Sequence, residues 1–329
     1  MKNATPVIEA FNLAKRFDDV TAVESVTFNV LDGELFGFLG PNGAGKTTTI
    51  NMLTGLARPD AGTIRIAGID CSKNPKAAQH LLGVVPDESN LYPELSGYEN
   101  LCFCGALYGL RKQERQIRAL DLLERFDLTD AADRKFAGYS RGMKRKLTIA
   151  AGIIHSPRIL FLDEPTTGID VVSARQIRQL IAGLNAGGTT IFLTTHYIEE
   201  AERLCRRIAF IVRGRLVKID TVDNLMRKTD GRHVVRFTMT EEVEGMCKAI
   251  SDAFPHLQCQ TVSKEAVRLE SREPVRIGPL VRFIEEQGAE VSEARKLRPS
   301  LEDIFVSITG IAAATMKQEQ EKRKAGGDE

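Results

Sequence analysis

The chain has 329 residues, 43% of them hydrophobic, which is enough for one large α/β domain and a smaller one, each with a packed core. Lys and Arg number 45 against 44 Asp and Glu, a formal net charge of +1, so no global field points toward nucleic acid or an anionic membrane surface. No apolar run approaches the roughly 18 residues of a membrane span, and MKNATPVIEA lacks a basic start followed by a long apolar core; a cytosolic protein is expected, reaching any membrane through a partner.

Residues 5–30 alternate apolar and polar positions (VIEAFNLAKRF, then TAVESVTFNV), the pattern of half-buried antiparallel strands. From Leu35 the pattern changes. LFGFLG, and later RILFLDE and TTIFLTTH, are short, continuously apolar runs separated by helical stretches such as VVSARQIRQLIAGLN, as in a parallel sheet covered on both faces. Between them, Gly83-Val84-Val85 reads as a short buried strand that stops at Pro86 and meets two carboxylates, Asp87 and Glu88. From Ser96 to about Asp133, ENLCFCGALYGL and QIRALDLLERF carry apolar residues at helical spacing, which predicts a helical insertion.

After about Arg227 the glycine motifs cease, and HVVRFTMT, EEVEGMCKAISDAF, LQCQTV, EAVRLES, PVRIGPLVRFIEEQG and AEVSEARKL predict β-α-β-β-α-β, the order of a small ferredoxin-like domain. LEDIFVSITG reads as a last helix and MKQEQEKRKAGGDE as a charged, disordered tail. The expected division is 1–227, 228–312 and a tail from 313 to 329, with a helical subdomain at about 96–155. The cysteines, Cys71, Cys102, Cys104, Cys205, Cys247 and Cys259, show no CxxC pair and no neighbouring histidine pattern, which argues against a zinc site or a disulfide framework; Cys102 and Cys104 alternate within an apolar stretch and read as buried free thiols.

Two motifs carry chemistry by themselves. GPNGAGKT satisfies GxxxxGK[ST] between an apolar strand and a helical pattern, the context in which the motif binds phosphate. Gly40, Gly43 and Gly45, with Pro41, Asn42 and Ala44 between them, let backbone N–H groups close around phosphate oxygens; Lys46 supplies a cation to the β and γ phosphates and Thr47, followed by Thr48, a hydroxyl to Mg²⁺. RILFLDEP adds Asp163 at a strand mouth, where it can bind Mg²⁺ through water, and Glu164, placed to orient and deprotonate an attacking water. A P-loop alone leaves kinases, GTPases, helicases and transport ATPases open, and the absence of a guanine-reading NKxD disfavours a GTPase.

YSRGMKRKL at 139–147, a small polar run entering a basic amphipathic helix, resembles the signature sequence of ATP-binding cassette (ABC) ATPases, and GID at 168–170 and TTH at 194–196 resemble that family's D-loop and switch histidine. The resemblance covers about residues 5–225. It implies an ABC cassette with an N-terminal antiparallel subdomain and a helical insertion, plus the small C-terminal α+β domain. It also implies roles: Phe17 stacks on adenine, Ser140 and Gly142 reach the γ-phosphate held by an opposite subunit, Asp170 lies at the dimer seam, and His196 holds Glu164 and water in line. Arg141 and Met143 depart from the commonest signature, in which these positions are glycine and glutamine. Asp87 stands where the family usually has a glutamine that reaches Mg²⁺, one methylene longer and neutral, and Glu88 is a solvated neighbour.

LRPSLEDIFVSITG resembles the end of ABC-2-type exporter ATPases. The expected protein is therefore the ATP- and Mg²⁺-dependent ATPase subunit of an exporter, closing as a homodimer or heterodimer on two ATP molecules and driving a separately encoded permease. That permease is expected to dock on Tyr98 to Phe126, with no nucleic acid involved. The competing reading is a soluble ABC ATPase acting on ribosomes or DNA, which typically has two cassettes or a long coiled coil.

Overall fold

The computed structural model describes residues 5–71, 74–228, 233–240, 245–297 and 300–310. These fall into two compact units, one reaching to Thr221 and one covering Val222–Gly310. The first unit begins with β1 (Pro6–Phe17), β2 (Val20–Leu31), β3 (Leu35–Leu39), α1 (Lys46–Leu53), β4 (Ala61–Ile66), β5 (Ile69–Asp70), α2 (Lys76–Gln79) and β6 (Leu82–Val85). It continues with α3 (Gly97–Leu107), α4 (Lys112–Arg125), α5 (Arg141–Ile153), β7 (Ile159–Asp163), α6 (Val171–Ala186), β8 (Thr190–Thr195), α7 (Ile198–Leu204), β9 (Arg207–Val212) and β10 (Arg215–Thr221).

β1 and β2 pair antiparallel, as their alternation demands, and the sheet runs β2-β1-β4-β5. The larger sheet runs β10-β9-β3-β8-β7-β6; β9, β3, β8, β7 and β6 are mutually parallel and β10 closes an antiparallel edge. Every residue of β3, β7 and β8 is buried, because both faces of the sheet are covered. Phe28 of β2 joins the two sheets: its ring lies 5.9 Å from Phe36, 5.6 Å from Phe38 and 5.8 Å from Phe192. Phe161 extends the cluster to β7 at 5.5 Å from Phe192, and each such pair contributes about 0.5–1.5 kcal/mol beyond area burial.

The helical insertion is α3 and α4, and α3 starts where Ser96 accepts from the Glu99 N–H while the Glu99 carboxylate accepts from the Ser96 N–H, a reciprocal cap. Gly40 follows β3, Asp87 follows β6, Asp163 ends β7 and His196 follows β8. Since β3, β8, β7 and β6 are neighbours in that order, these residues line the carboxyl edge of one sheet, where open α/β sheets bind ligands.

The second unit comprises α8 (Val222–Lys228), β11 (His233–Met239), α9 (Met246–Ala253), β12 (Gln258–Ser263), β13 (Ala266–Ser271), α10 (Ile277–Glu286), β14 (Val291–Leu297) and α11 (Leu301–Thr309). From β11 to β14 the order is the β-α-β-β-α-β read from the sequence. Its sheet, β12-β13-β11-β14, is antiparallel throughout, with Val235, Phe237, Val267 and Leu269 packed against Ile250, Leu280 and Ile284 of α9 and α10. α8 packs against α11. The tail expected to be disordered lies outside the described residues.

The cysteines require a correction. Cys71, Cys102, Cys104 and Cys205 are free, Cys102 and Cys104 only half-buried, but Cys247 and Cys259 form a disulfide. The pairing is tertiary: α9 packs on β12 and brings two α-carbons twelve positions apart to 5.2 Å, within bridging range. Spacing alone carries no trace of that contact.

Candidate active site

The phosphate-loop residues Gly40 to Gly45 connect β3 to α1. Gly45 caps α1 with φ +99°, and a β-carbon there would lie 2.4 Å from the Ala22 carbonyl oxygen, so glycine is the residue this approach of β2 permits. Pro41 and Asn42 are half-buried, Ala44 is buried, and Gly43 and Thr47 are exposed at the mouth, with Thr48 half-buried behind them. Lys46 is 6% exposed, and its ammonium donates to the carbonyls of Gly40 (2.8 Å) and Pro41 (3.1 Å).

The third direction of that ammonium faces Glu164, with Nζ 3.1 Å from Oε1, an ion pair rather than an aligned hydrogen bond. The other oxygen of Glu164 accepts from His196 Nδ1–H at 2.7 Å and from the Thr167 hydroxyl at 3.1 Å. Burial alone would raise the Glu164 carboxyl, but the His196 hydrogen bond and the Lys46 charge outweigh it, and the net shift is downward. Glu164 is thus held as a carboxylate in a buried place, and Nδ1 of His196 carries the hydrogen. Its φ of +49° is left-handed, a conformation that a non-glycine keeps only where its surroundings impose it.

Asp163 stands beside this group. Its Oδ2 accepts from the Thr47 hydroxyl at 2.7 Å and its Oδ1 from the Thr194 hydroxyl, Thr194 being its register partner on β8. Thr47 and Asp163 therefore converge as two hard oxygen donors, a set that suits a small divalent cation of the Mg²⁺ kind. Asp87 is exposed one strand further along the edge, and its carbonyl is bound by Arg145; Glu88 is exposed too. Phe17, at the end of β1 and pairing with Val20, is 50% exposed, with Lys15 Nζ 5.3 Å from its ring centre.

Ser140, Gly142 and Asp170 form a separate cluster at two helix N-termini. Ser140 caps α5 by accepting from Met143 N–H at 3.3 Å, which leaves its own hydroxyl hydrogen available, and Asp170 caps α6 by accepting from Ser173 N–H at 2.9 Å. That bond lowers the Asp170 carboxyl. A β-carbon on Gly142 would lie 2.5 Å from Ser173 Oγ, so glycine lets α5 and α6 approach. Ser140, Gly142, Met143, Lys146 and Ser173 line an open cavity of about 420 Å³ there. Positive helix ends, a free hydroxyl and an exposed cavity suit an anion presented from outside.

Three residues to which the sequence assigned no role belong to the site. Thr194 binds Asp163 as above. Glu200 of α7, 3% exposed, accepts from the Thr166 hydroxyl at 2.8 Å, and burial raises its carboxyl. Arg145 lies within the helix read as basic and amphipathic, yet it and Lys146 are buried, 6% and 7% exposed. The only sequence signal was the apolar run that follows them.

Residues 23–167 match the ABC transporter family. The chain is 36% identical over 307 residues to the linearmycin resistance ATP-binding protein of Bacillus subtilis strain 168, covering 92% of this chain and 98% of that protein. It is 36% identical to a daunorubicin resistance ATP-binding protein of Streptomyces coeruleorubidus (92% and 95% covered) and 37% identical to Nod factor export ATP-binding protein I of Burkholderia lata (92% and 97%). Among solved structures, an ATP-binding subunit of an ABC transporter aligns with a TM-score of 0.62 at 31% identity, covering 68% of this chain and 93% of that one. An ATP-binding cassette described as a dimer in a post-hydrolysis state with ADP and Pi aligns with a TM-score of 0.60 at 26% identity, covering 65% and 98%.

Proposed function

The chain belongs to the ABC transporter family, and from that membership we infer its work: it is the ATP-hydrolysing subunit of an exporter whose permease is a separate protein. Relatives named for drug resistance and Nod factor export, each matching 92% of the chain, favour export over a ribosome- or DNA-directed role. The observation that carries the residue assignments is the buried run Lys46–Glu164–His196 beside the Thr47–Asp163 pair, all at the carboxyl edge of one sheet.

We propose that Lys46 exchanges Glu164 for the β and γ phosphates of ATP. Glu164, already ionised, then takes the proton of a water attacking the γ-phosphorus, while His196 keeps the carboxylate in line. Phe17 offers its exposed face to adenine. Thr47 and Asp163 would hold Mg²⁺, which when bound neutralises charge on the phosphate oxygens. Asp87 takes the glutamine's place as hinge toward the partner, its shorter side chain reaching less far. Gly40 to Thr48 supply the phosphate cradle.

Ser140 and Gly142 serve the γ-phosphate of a second cassette and Asp170 lies at the seam, so one chain is half of the enzyme. An ABC-2-type permease seats on the insertion, where Leu107, Ile117 and Leu120 are 71%, 70% and 58% exposed. No described helix is long and apolar enough to cross a membrane, and we propose that the chain is held at the inner membrane face by that permease. The second unit regulates or steadies the pair.

Mixing two disabled chains tests the shared site. Lys46→Ala and Gly142→Asp should each lack turnover alone, and a mixture should regain it, because a mixed pair contains one intact site. A mixture as inactive as its components would contradict a site shared between two copies.

A further inference from the structure

Arg145 joins the parts of this site that the motifs leave separate. It lies in the first turns of α5, soon after Ser140 and Gly142, and among the described residues every hydrogen bond it makes goes to a main-chain carbonyl. Nε donates to Pro165 (3.0 Å), Nη1 to Asp87 (3.0 Å) and to Pro86, and Nη2 to Asp163 (2.5 Å). Two of these acceptors follow β6 and two belong to the end of β7, one on each side of Glu164. Bonds to carbonyls hold backbone rather than side chains, and here they grip both neighbours of a residue whose φ is +49°.

A planar guanidinium can donate in several fixed directions at once, whereas an ammonium cannot reproduce that fork. A second tie comes from α7, where Glu200 accepts from the Thr166 hydroxyl. The turn Asp163–Glu164–Pro165–Thr166 is thus bonded to side chains of two helices. One of them, α5, begins at the cluster that faces outward, and its residues from Arg145 to Ile153 are all buried, so α5 moves with what it packs against.

We propose that Arg145 is a positioning residue that links the seating of the α5 N-terminus to the backbone of Glu164 and to the Asp87 loop, so that hydrolysis depends on it and ATP binding does not. The proposal rests on Glu164 as general base. Closure at Ser140 and Gly142 displaces α5, the guanidinium carries that displacement to the carbonyls around Glu164, and the same fork registers movement of the Asp87 loop.

The test compares the parent, Arg145→Lys, Arg145→Gln and Glu164→Gln in ATP turnover, binding of a fluorescent ATP analogue, and melting temperature. The expected result for both Arg145 variants is KM and analogue affinity within about threefold of the parent and kcat lowered by about tenfold or more, at a temperature where they are folded. A folded Arg145→Lys chain with the parent kcat overturns the proposal, as does a loss of affinity in step with kcat. If Glu164→Gln turns over like the parent, it is the base assignment that fails. Should neither Arg145 variant fold, hydrogen exchange on the unsubstituted chain decides. ATP should slow the amides of 87–92 and 164–167 together, and protection of one segment alone, or of neither, overturns the link.

Discussion

At the scale of single residues, the site is organised around a carboxylate that burial ought to disfavour. Glu164 is 8% exposed, and its neighbours, His196 first and Lys46 next, hold it below the usual glutamate range. Glu200 shows the converse, since burial raises it and the Thr166 and Thr195 hydroxyls and the Arg178 charge offset that only in part. The two therefore have opposite pH signatures. Glu164 stabilises the chain fully above pH 4.5, its ordinary value, and loses that contribution as pH falls through its lower native value. Glu200, raised from the same 4.5, costs stability as pH climbs above that value. Melting temperatures without nucleotide should show it: against Glu164→Gln the parent should lose ground below pH 4.5, and against Glu200→Gln it should lose ground as pH rises from 4.5 to 7. Parallel pH curves for parent and variant would contradict the assigned shifts.

At the scale of elements, β3, β7 and β8 were legible because strands covered on both faces read as unbroken apolar runs. The antiparallel β1 and β2 were legible because they alternate. Lys46, Asp163, Glu164 and His196 could be placed because each follows such a run, so finding the strands located the residues. Arg145 escaped because a charge on a helix ordinarily marks solvent, and the carbonyls it binds lie at or just beyond the ends of two strands, 58, 59, 18 and 20 residues distant in sequence. Cys247 and Cys259 escaped for the same reason: helix-on-strand packing has no spacing rule. Where α5 meets α6, Gly142→Ala should force apart two helix starts, because the new methyl would sit 2.7 Å from Ser173 Cβ. A loss of about 1–3 kcal/mol is expected by denaturant titration, with Ser173→Gly in the same chain returning most of it. An undiminished midpoint in Gly142→Ala would show that the approach is looser than the structure has it.

At the scale of the whole molecule, the net charge is +1 and no described helix is long and apolar enough to cross a membrane. The relatives match nearly the full chain, whereas the solved cassettes match about two thirds of it. The difference includes room for the second unit, which has its own sheet and apolar core around Phe237 and Ile250. Glu164, in the larger unit, carries the proposed chemistry, and turnover of ATP with Mg²⁺ by purified parent and Glu164→Gln chains tests that role most directly. The parent should hydrolyse ATP, while the variant should bind it, lose turnover by roughly 10²-fold or more and accumulate as an ATP-loaded pair of chains. A Glu164→Gln chain that hydrolyses ATP at the parent rate would contradict the account.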